Sequence, residues 1–229
     1  MKSLTFFLSL CLGLSTIAVA DELVPPKTHP DTSGWQDLFT ADLSNAIFPK
    51  GVWSLNDGVL EATKDNCIWT KAEYENFIVD VEFKTVDGTN SGLIVYCDDI
   101  GRWVQNSIEV QIADDFAPFF QNASMSWCCG AIFGHLPAKK SLVKKPGNWN
   151  RMTVTCKGKM IYVIINGEQV TEMDMSKWTS AKKNPDGTNI PSWLDNVPLA
   201  ELKTKGHIGL QGKHGKSPIY FRNLKVKTF

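Results

Sequence analysis

The chain has 229 residues, 24 Lys plus Arg balanced by 24 Asp plus Glu, and 43% apolar residues. A net charge of zero, with no basic stripe and no acidic tail, excludes an electrostatic grip on nucleic acid. No stretch after the first residues approaches the ~20 apolar positions of a membrane span.

The first 20 residues read as a targeting segment. Lys2 supplies a positive end, Leu4 to Leu14 a short apolar stretch, and Ala18-Val19-Ala20 a small-residue cleavage site before Asp21. Cys11 follows Leu10 and not a small residue, which argues against lipid attachment. The expectation is a cleaved signal peptide over 1–20 and an exported chain, periplasmic or secreted, over 21–229. No linker or repeat divides 21–229, a length that suits one large β domain. Cys67, Cys97, Cys128, Cys129 and Cys156 fall within it. An oxidising compartment permits disulfides, with Cys97 and the Cys128-Cys129 pair as a candidate pairing. An odd count leaves at least one thiol over, and the spacings match no zinc signature.

Strand signals then recur to the end of the chain. Phe77 to Phe83 alternates, with Phe77, Val79, Val81 and Phe83 inward and Asp80 and Glu82 outward. Further runs cover 91–97, 106–112, 151–156, 160–165, 207–211 and 219–227. Lys157-Gly158-Lys159 reads as a hairpin loop, and Asn166-Gly167 as a type I′ turn, because both residues accept positive φ. No window of a dozen residues keeps a helical period; Lys71–Glu75 and Leu199–Leu202 have room for single turns. His29 falls in a loose N-terminal stretch, and His207 begins a strand. Two long connections stand out: 113–125, with a Phe-rich tip, and 178–204, with four Pro or Gly breaks. Many strands with Gly and Asn turns predict an all-β fold, an antiparallel two-sheet β-sandwich.

The run Asn106–Asp115 carries the chemistry. Ile108, Val110 and Ile112 share one face and Ser107, Glu109 and Gln111 the other, with Asp114 and Asp115 following at once. Alternate side chains stand about 7 Å apart on a rigid element. Such a face is either a solvated sheet surface or a platform for a polyhydroxylated molecule. Most of the 8 Trp and 12 Phe belong in a core, but flat aromatic faces also stack on the apolar C–H faces of pyranose rings.

An ordered set of short motifs covers nearly all of 21–229: Gly34–Phe39 (GWQDLF), Trp53–Leu60 (WSLNDGVL), Trp69–Phe77 (WTKAEYENF), Asn90–Gly92 (NSG), Glu109–Asp115 (EVQIADD), Gly130–Gly134 (GAIFG), Gly147–Asn150 (GNWN), Ile165–Gly167, Gly209–Gln211 with His214-Gly215, and Phe221–Leu224. In this order they resemble the 3-keto-disaccharide hydrolase domain family, formerly a domain of unknown function. The resemblance implies a concanavalin A-like jelly roll. It also implies an enzyme that cleaves the glycosidic bond of 3-keto-glucosides by hydrolysis or by elimination across C1–C2, after a separate oxidoreductase has oxidised C3 of the sugar. A ketone at C3 acidifies the C2 proton, so such a site needs a base, an acid and hydrogen-bonding groups for the sugar, and no strong nucleophile.

Glu109 is the first candidate for base or metal ligand, with His135, His214 and Asp114 as further catalytic candidates and Gln111, Gln211, Lys213, Asn90, Tyr96 and Trp103 as substrate-binding ones. Asp114 and Asp115 also fit a role capping the loop. Gly130 and Gly134 beside His135 allow close backbone approach to a ligand. Trp103 and Trp127 are candidate stacking platforms as well as candidate core. Tyr96 stands where many family members carry Arg, replacing a cation with one neutral donor. A carboxylate, an amide and a His in one cleft could also hold a divalent cation. Two alternatives share the fold: a sugar-binding module without catalysis, and a retaining laminarinase-type glucanase. The second needs paired carboxylates, and Glu109-x-Gln111-x-x-Asp114 has an amide in place of the middle one.

Overall fold

The computed structural model describes residues 24–194, 197–215 and 217–229; the leader expected over 1–20 lies outside the described residues. The strands are β1 (Gln36–Asp37), β2 (Ala46–Ile47), β3 (Trp53–Asn56), β4 (Val59–Ala62), β5 (Ile68–Thr70), β6 (Phe77–Thr85), β7 (Asn90–Cys97), β8 (Ile108–Ala113), β9 (Trp149–Lys157), β10 (Met160–Ile165), β11 (Glu168–Asp174), β12 (His207–Leu210) and β13 (Ile219–Thr228). They form an eight-stranded sheet, β11-β10-β9-β6-β13-β4-β3 with β1 against β13, and a five-stranded sheet, β2-β5-β12-β7-β8. The fold is the all-β antiparallel sandwich of the jelly-roll type. Phe77, Val79, Val81 and Phe83 of β6 pack in one continuous core with Leu93, Val95, Ile108, Val110 and Ile112 of β7 and β8. Between β10 and β11, Asn166 and Gly167 both have positive φ (47° and 98°), as the type I′ reading requires.

Strands absent from the sequence reading are short or bulged. β11 gives no period-two signal because its register against β10 slips between Val163 and Ile164. Val170 and Met173, three apart, are thereby both buried. Lys71–Glu75 forms no turn of helix; Tyr74 instead bridges Gly206.

Two expectations about the sheet surfaces change. Asp80 does point away from the core, yet it is buried, because the N-terminal segment lies across the eight-stranded sheet. Arg151 Nε donates to Asp80 (2.9 Å) and its Nη2 to the Pro30 carbonyl (2.7 Å). His29 is correspondingly not loose. It accepts from Gly167 N–H at Nε2 (2.8 Å), which leaves Nδ1 to donate to Thr153 Oγ1 (2.8 Å). Burial, then the Arg151 charge, pushes the His29 pKa down to about 4. The cysteine pairing also fails: all five described cysteines are free thiols. Cys129 belongs to the core between the sheets, whereas Cys97 packs with Trp69 and Ile94 in a separate cluster on the outer face of the five-stranded sheet. Among the described residues no helix is long and apolar enough to cross a membrane.

Candidate active site

The outer face of the five-stranded sheet is the floor of a cleft of about 820 Å³. Glu109 and Gln111 of β8 rise from this floor, opposite the Ile108, Val110 and Ile112 side chains that enter the core. Asn90, Gln211, His214 and Trp103 line the same cleft. Six of the sequence candidates therefore converge.

Gly92 determines where the Glu109 carboxyl lies. The two residues sit on neighbouring strands, with Gly92 opposite Gln111 and Ile94 opposite Glu109. A Cβ on Gly92 would stand 2.2 Å from Glu109 Oε1 and 2.8 Å from its Cδ, so the carboxyl occupies the space a side chain there would fill. On its other edge Gly92 pairs with Gln211, whose N–H donates to the Gly92 carbonyl (2.9 Å). The carboxyl is thus set in the row between two glutamines, one strand spacing from each. Gln111 Nε2 donates to Asn90 Oδ1 (3.0 Å). Oε1 of Gln111 and Oε1 of Gln211 are both buried and find no partner within the protein. Buried acceptors without donors are costly, and both belong to side chains that line the cleft.

Burial, with a smaller contribution from the nearby Asp65 charge, pushes the Glu109 pKa up to about 8. Its carboxyl is therefore mostly protonated at neutral pH and able to donate. Asp65 was not among the sequence candidates. Its Oδ2 lies 2.6 Å from His214 Nδ1, at the half-exposed rim of the cleft. The contact depends on Gly212, where a Cβ would meet the Lys64 carbonyl oxygen at 2.4 Å and the Asn66 carbonyl oxygen at 2.7 Å. Trp53 Nε1 anchors the same segment through the Asn66 carbonyl (2.9 Å). With Nδ1 facing Asp65, Nε2 is the remaining ring nitrogen of His214. Cys67 lines the cleft too, but burial and the Glu109 and Asp65 charges push its thiol up, so it stays a neutral thiol.

Four candidates lie elsewhere. Tyr96 is fully buried in the sandwich core, its hydroxyl donating to the Gly158 carbonyl (2.8 Å). Strand parity would put it beside Ile94, but the β7–β12 pairing slips, Ile94 facing Gly209 and Cys97 facing His207. Tyr96 takes up the bulge with φ 59° and turns inward next to Val95. Asp114 is buried as a loop cap, accepting from Gly88 N–H (2.9 Å) and Phe116 N–H (3.1 Å). Asp115 likewise holds Cys129 N–H (2.8 Å) and Ser141 Oγ (2.6 Å). His135 does not line the cleft; its Nδ1 is tied to the Phe133 carbonyl (2.8 Å). The glycines before it make room for Val170 and Leu194 side chains, not for a ligand. Lys213 is also absent from the cleft lining. Ser107, on the polar side of the same run, instead donates to the Trp103 carbonyl (2.6 Å). Among the described residues no group of three or more His, Cys, Asp or Glu side chains is placed to hold a metal ion.

Aromatic walls complete the cleft. Trp69 and Trp103 pair at 6.1 Å on one side. On the other, Trp127 contacts Phe119 (6.0 Å) and Trp193 (5.8 Å), one from each long connection, and Phe133 (5.4 Å).

Residues 29–227 match the 3-keto-alpha-glucoside-1,2-lyase-like domain family. The chain belongs to this family. A Parabacteroides distasonis protein classed as a candidate glycosyl hydrolase is 58% identical, with a TM-score of 0.83 over 85% of this chain and 99% of its own. A second candidate glycosyl hydrolase of that organism shares 20% identity (TM-score 0.69, 86% and 95% covered) and shows the fold alone. So does the carbohydrate-binding module CBM66 of Bacillus subtilis, at 10% identity (TM-score 0.51, 83% and 99% covered). No curated protein matches the chain.

Proposed function

We propose that this family member is a glycoside-cleaving enzyme acting on glucosides oxidised at C3, by elimination across C1–C2. The observation that carries the reading is the convergence, in one aromatic-walled cleft, of a carboxyl held near pKa 8, an imidazole tied to a carboxylate and two unpartnered amide oxygens. A C3 ketone acidifies the C2 proton. His214 Nε2 takes that proton while Asp65 holds Nδ1. The electron pair left on C2 becomes the C1–C2 double bond as the C1–O bond breaks. The glycosidic oxygen leaves with the aglycone and takes its proton from Glu109. Addition of water to the unsaturated keto sugar afterwards would make the net reaction a hydrolysis. Gln111 and Gln211 accept hydrogen bonds from the remaining sugar hydroxyls.

The role given to Glu109 differs from that of base. A carboxyl with its proton on at neutral pH is the better acid, and the imidazole the better acceptor. A retaining glucanase is disfavoured because it needs a second carboxyl about 5–5.5 Å from the first, and Asp114 is turned into a loop cap. The reading includes export of the chain after removal of 1–20, and a separate C3-oxidoreductase that supplies the substrate.

The test is incubation of purified protein with a 3-keto-glucoside and with its unoxidised parent, following aglycone release. Release from the keto sugar alone is expected. No release from either would leave a sugar-binding module, and release from the parent alone a glucanase.

A further inference from the structure

The aromatic wall of the cleft has a second side. Phe119, Trp127 and Trp193 also border an adjoining cavity of about 540 Å³, whose other walls include Asn122, Ser124 and Ile190. Phe119 and Trp193 are 60% and 52% exposed, unusual for large aromatics unless a partner or ligand covers them.

The two cavities differ in chemistry. The floor of the main cleft concentrates the polar groups: Glu109, Gln111, Gln211, His214 and Asn90. Among the described residues, no Asp, Glu, Lys, Arg or His lines the adjoining cavity. Its polar side chains are largely spent on neighbours. Asn122 Nδ2 donates to the Pro118 carbonyl (2.7 Å), and the Ser124 and Ser126 hydroxyls bond each other (3.0 Å). A second sugar ring there would find a stacking face but few groups for its hydroxyls. A flat, uncharged ring would lose little by leaving water and would gain the aromatic contacts. The main cleft is itself near the upper end of the ~300–1,000 Å³ usual for small-ligand sites, so a bound pyranose leaves room toward the wall.

We infer that Phe119, Trp127 and Trp193 form an aglycone subsite, and that the substrates of this protein are glucosides of flat, uncharged, aromatic aglycones, not disaccharides. The sugar lies on the polar floor and the aglycone lies across the aromatic trio into the second cavity. This rests on the proposed glycoside cleavage.

The test compares the 3-keto-glucoside of 4-nitrophenol, that of 4-carboxyphenol and a 3-keto-disaccharide by kcat/KM. The neutral aryl substrate is expected to exceed both others by roughly tenfold or more, the worth of one good stacking contact. Trp193→Ala and Phe119→Ala should each lower the aryl-to-disaccharide ratio by a similar factor. A ratio is insensitive to a loss of folded protein. Calorimetric binding of unoxidised 4-nitrophenyl glucoside gives a readout without turnover, and both variants should weaken it. Equal kcat/KM for the aryl and disaccharide substrates, with a ratio untouched by either substitution, would overturn the subsite. If no keto sugar is cleaved but aryl-glucoside binding persists and weakens in both variants, the proposed reaction fails while the subsite stands.

Discussion

Replacing Gly92 with Ala separates the site from the fold. The added Cβ would lie 2.2 Å from Glu109 Oε1 and 2.6 Å from its Cγ. Relief to ordinary van der Waals contact requires the carboxyl to move by about 1 Å, and displacements of ~1 Å at a reacting group cost about 10²-fold in rate. The obstacle is a flexible side chain opening onto the cleft and not backbone, so the fold can give way there. Gly92 has no positive φ, and Ala in a strand interior avoids the entropic penalty of Gly, roughly 0.5–1 kcal/mol. The expected variant melts within a few degrees of wild type, keeps its circular dichroism, and loses about two orders of magnitude in turnover of a 3-keto-glucoside. Wild-type turnover in a folded Gly92→Ala protein would refute the claim that the placement of Glu109 between the glutamines matters. Collapse of the fold would refute the claim that the contact concerns the site alone.

Glu109→Gln should reduce turnover by about 10²–10⁴-fold and remove an alkaline limb in kcat/KM near pH 8, where the acid form is lost. The same substitution tests the linkage. The folded pKa is raised from 4.5 to about 8, so the stabilisation associated with Glu109 is complete below pH 4.5 and lost as pH rises through 8. Denaturant titrations should show Glu109→Gln gaining on wild type across that window by on the order of 1 kcal/mol per pH unit. Asp65→Asn should cost roughly 10²–10⁴-fold in turnover. It should also move the alkaline limb to lower pH, because the Asp65 charge helps to hold the Glu109 proton on; an unmoved limb would show that the two do not interact. Tyr96→Phe should cost ~1 kcal/mol of stability through the lost bond to Gly158 and leave kcat/KM unchanged, as measured by thermal melts and turnover.

The candidates that the sequence placed well share a local cause. In β8 the period of two alone puts Ile108, Val110 and Ile112 on one face and Glu109 and Gln111 on the other. Where a candidate was misplaced, a non-local event intervened. Tyr96 has the parity of a cleft residue, and one bulge against β12 turns it into the core. Asp114 has the parity of Ile108, Val110 and Ile112, not that of Glu109 and Gln111, and just past the end of the ladder at Ala113 its carboxylate is taken by the N–H of Gly88. Asp80 looks solvated in its strand and is covered by the segment around Pro30.

By itself the sequence determined the sandwich, its main core faces, its turns and the polar strand at the centre of the site, because alternation and turn preference act over a few residues. Only the tertiary structure decided the environment of that strand. Asp65 lies on a short connection with no periodic signal, and it reaches His214 because Gly212 lets the backbone of 64–66 come close. The raised pKa of Glu109 depends on burial in a cleft lined from many separate parts of the chain and on the charge of Asp65. A pKa belongs to an environment, and that environment is assembled from residues far apart in the chain.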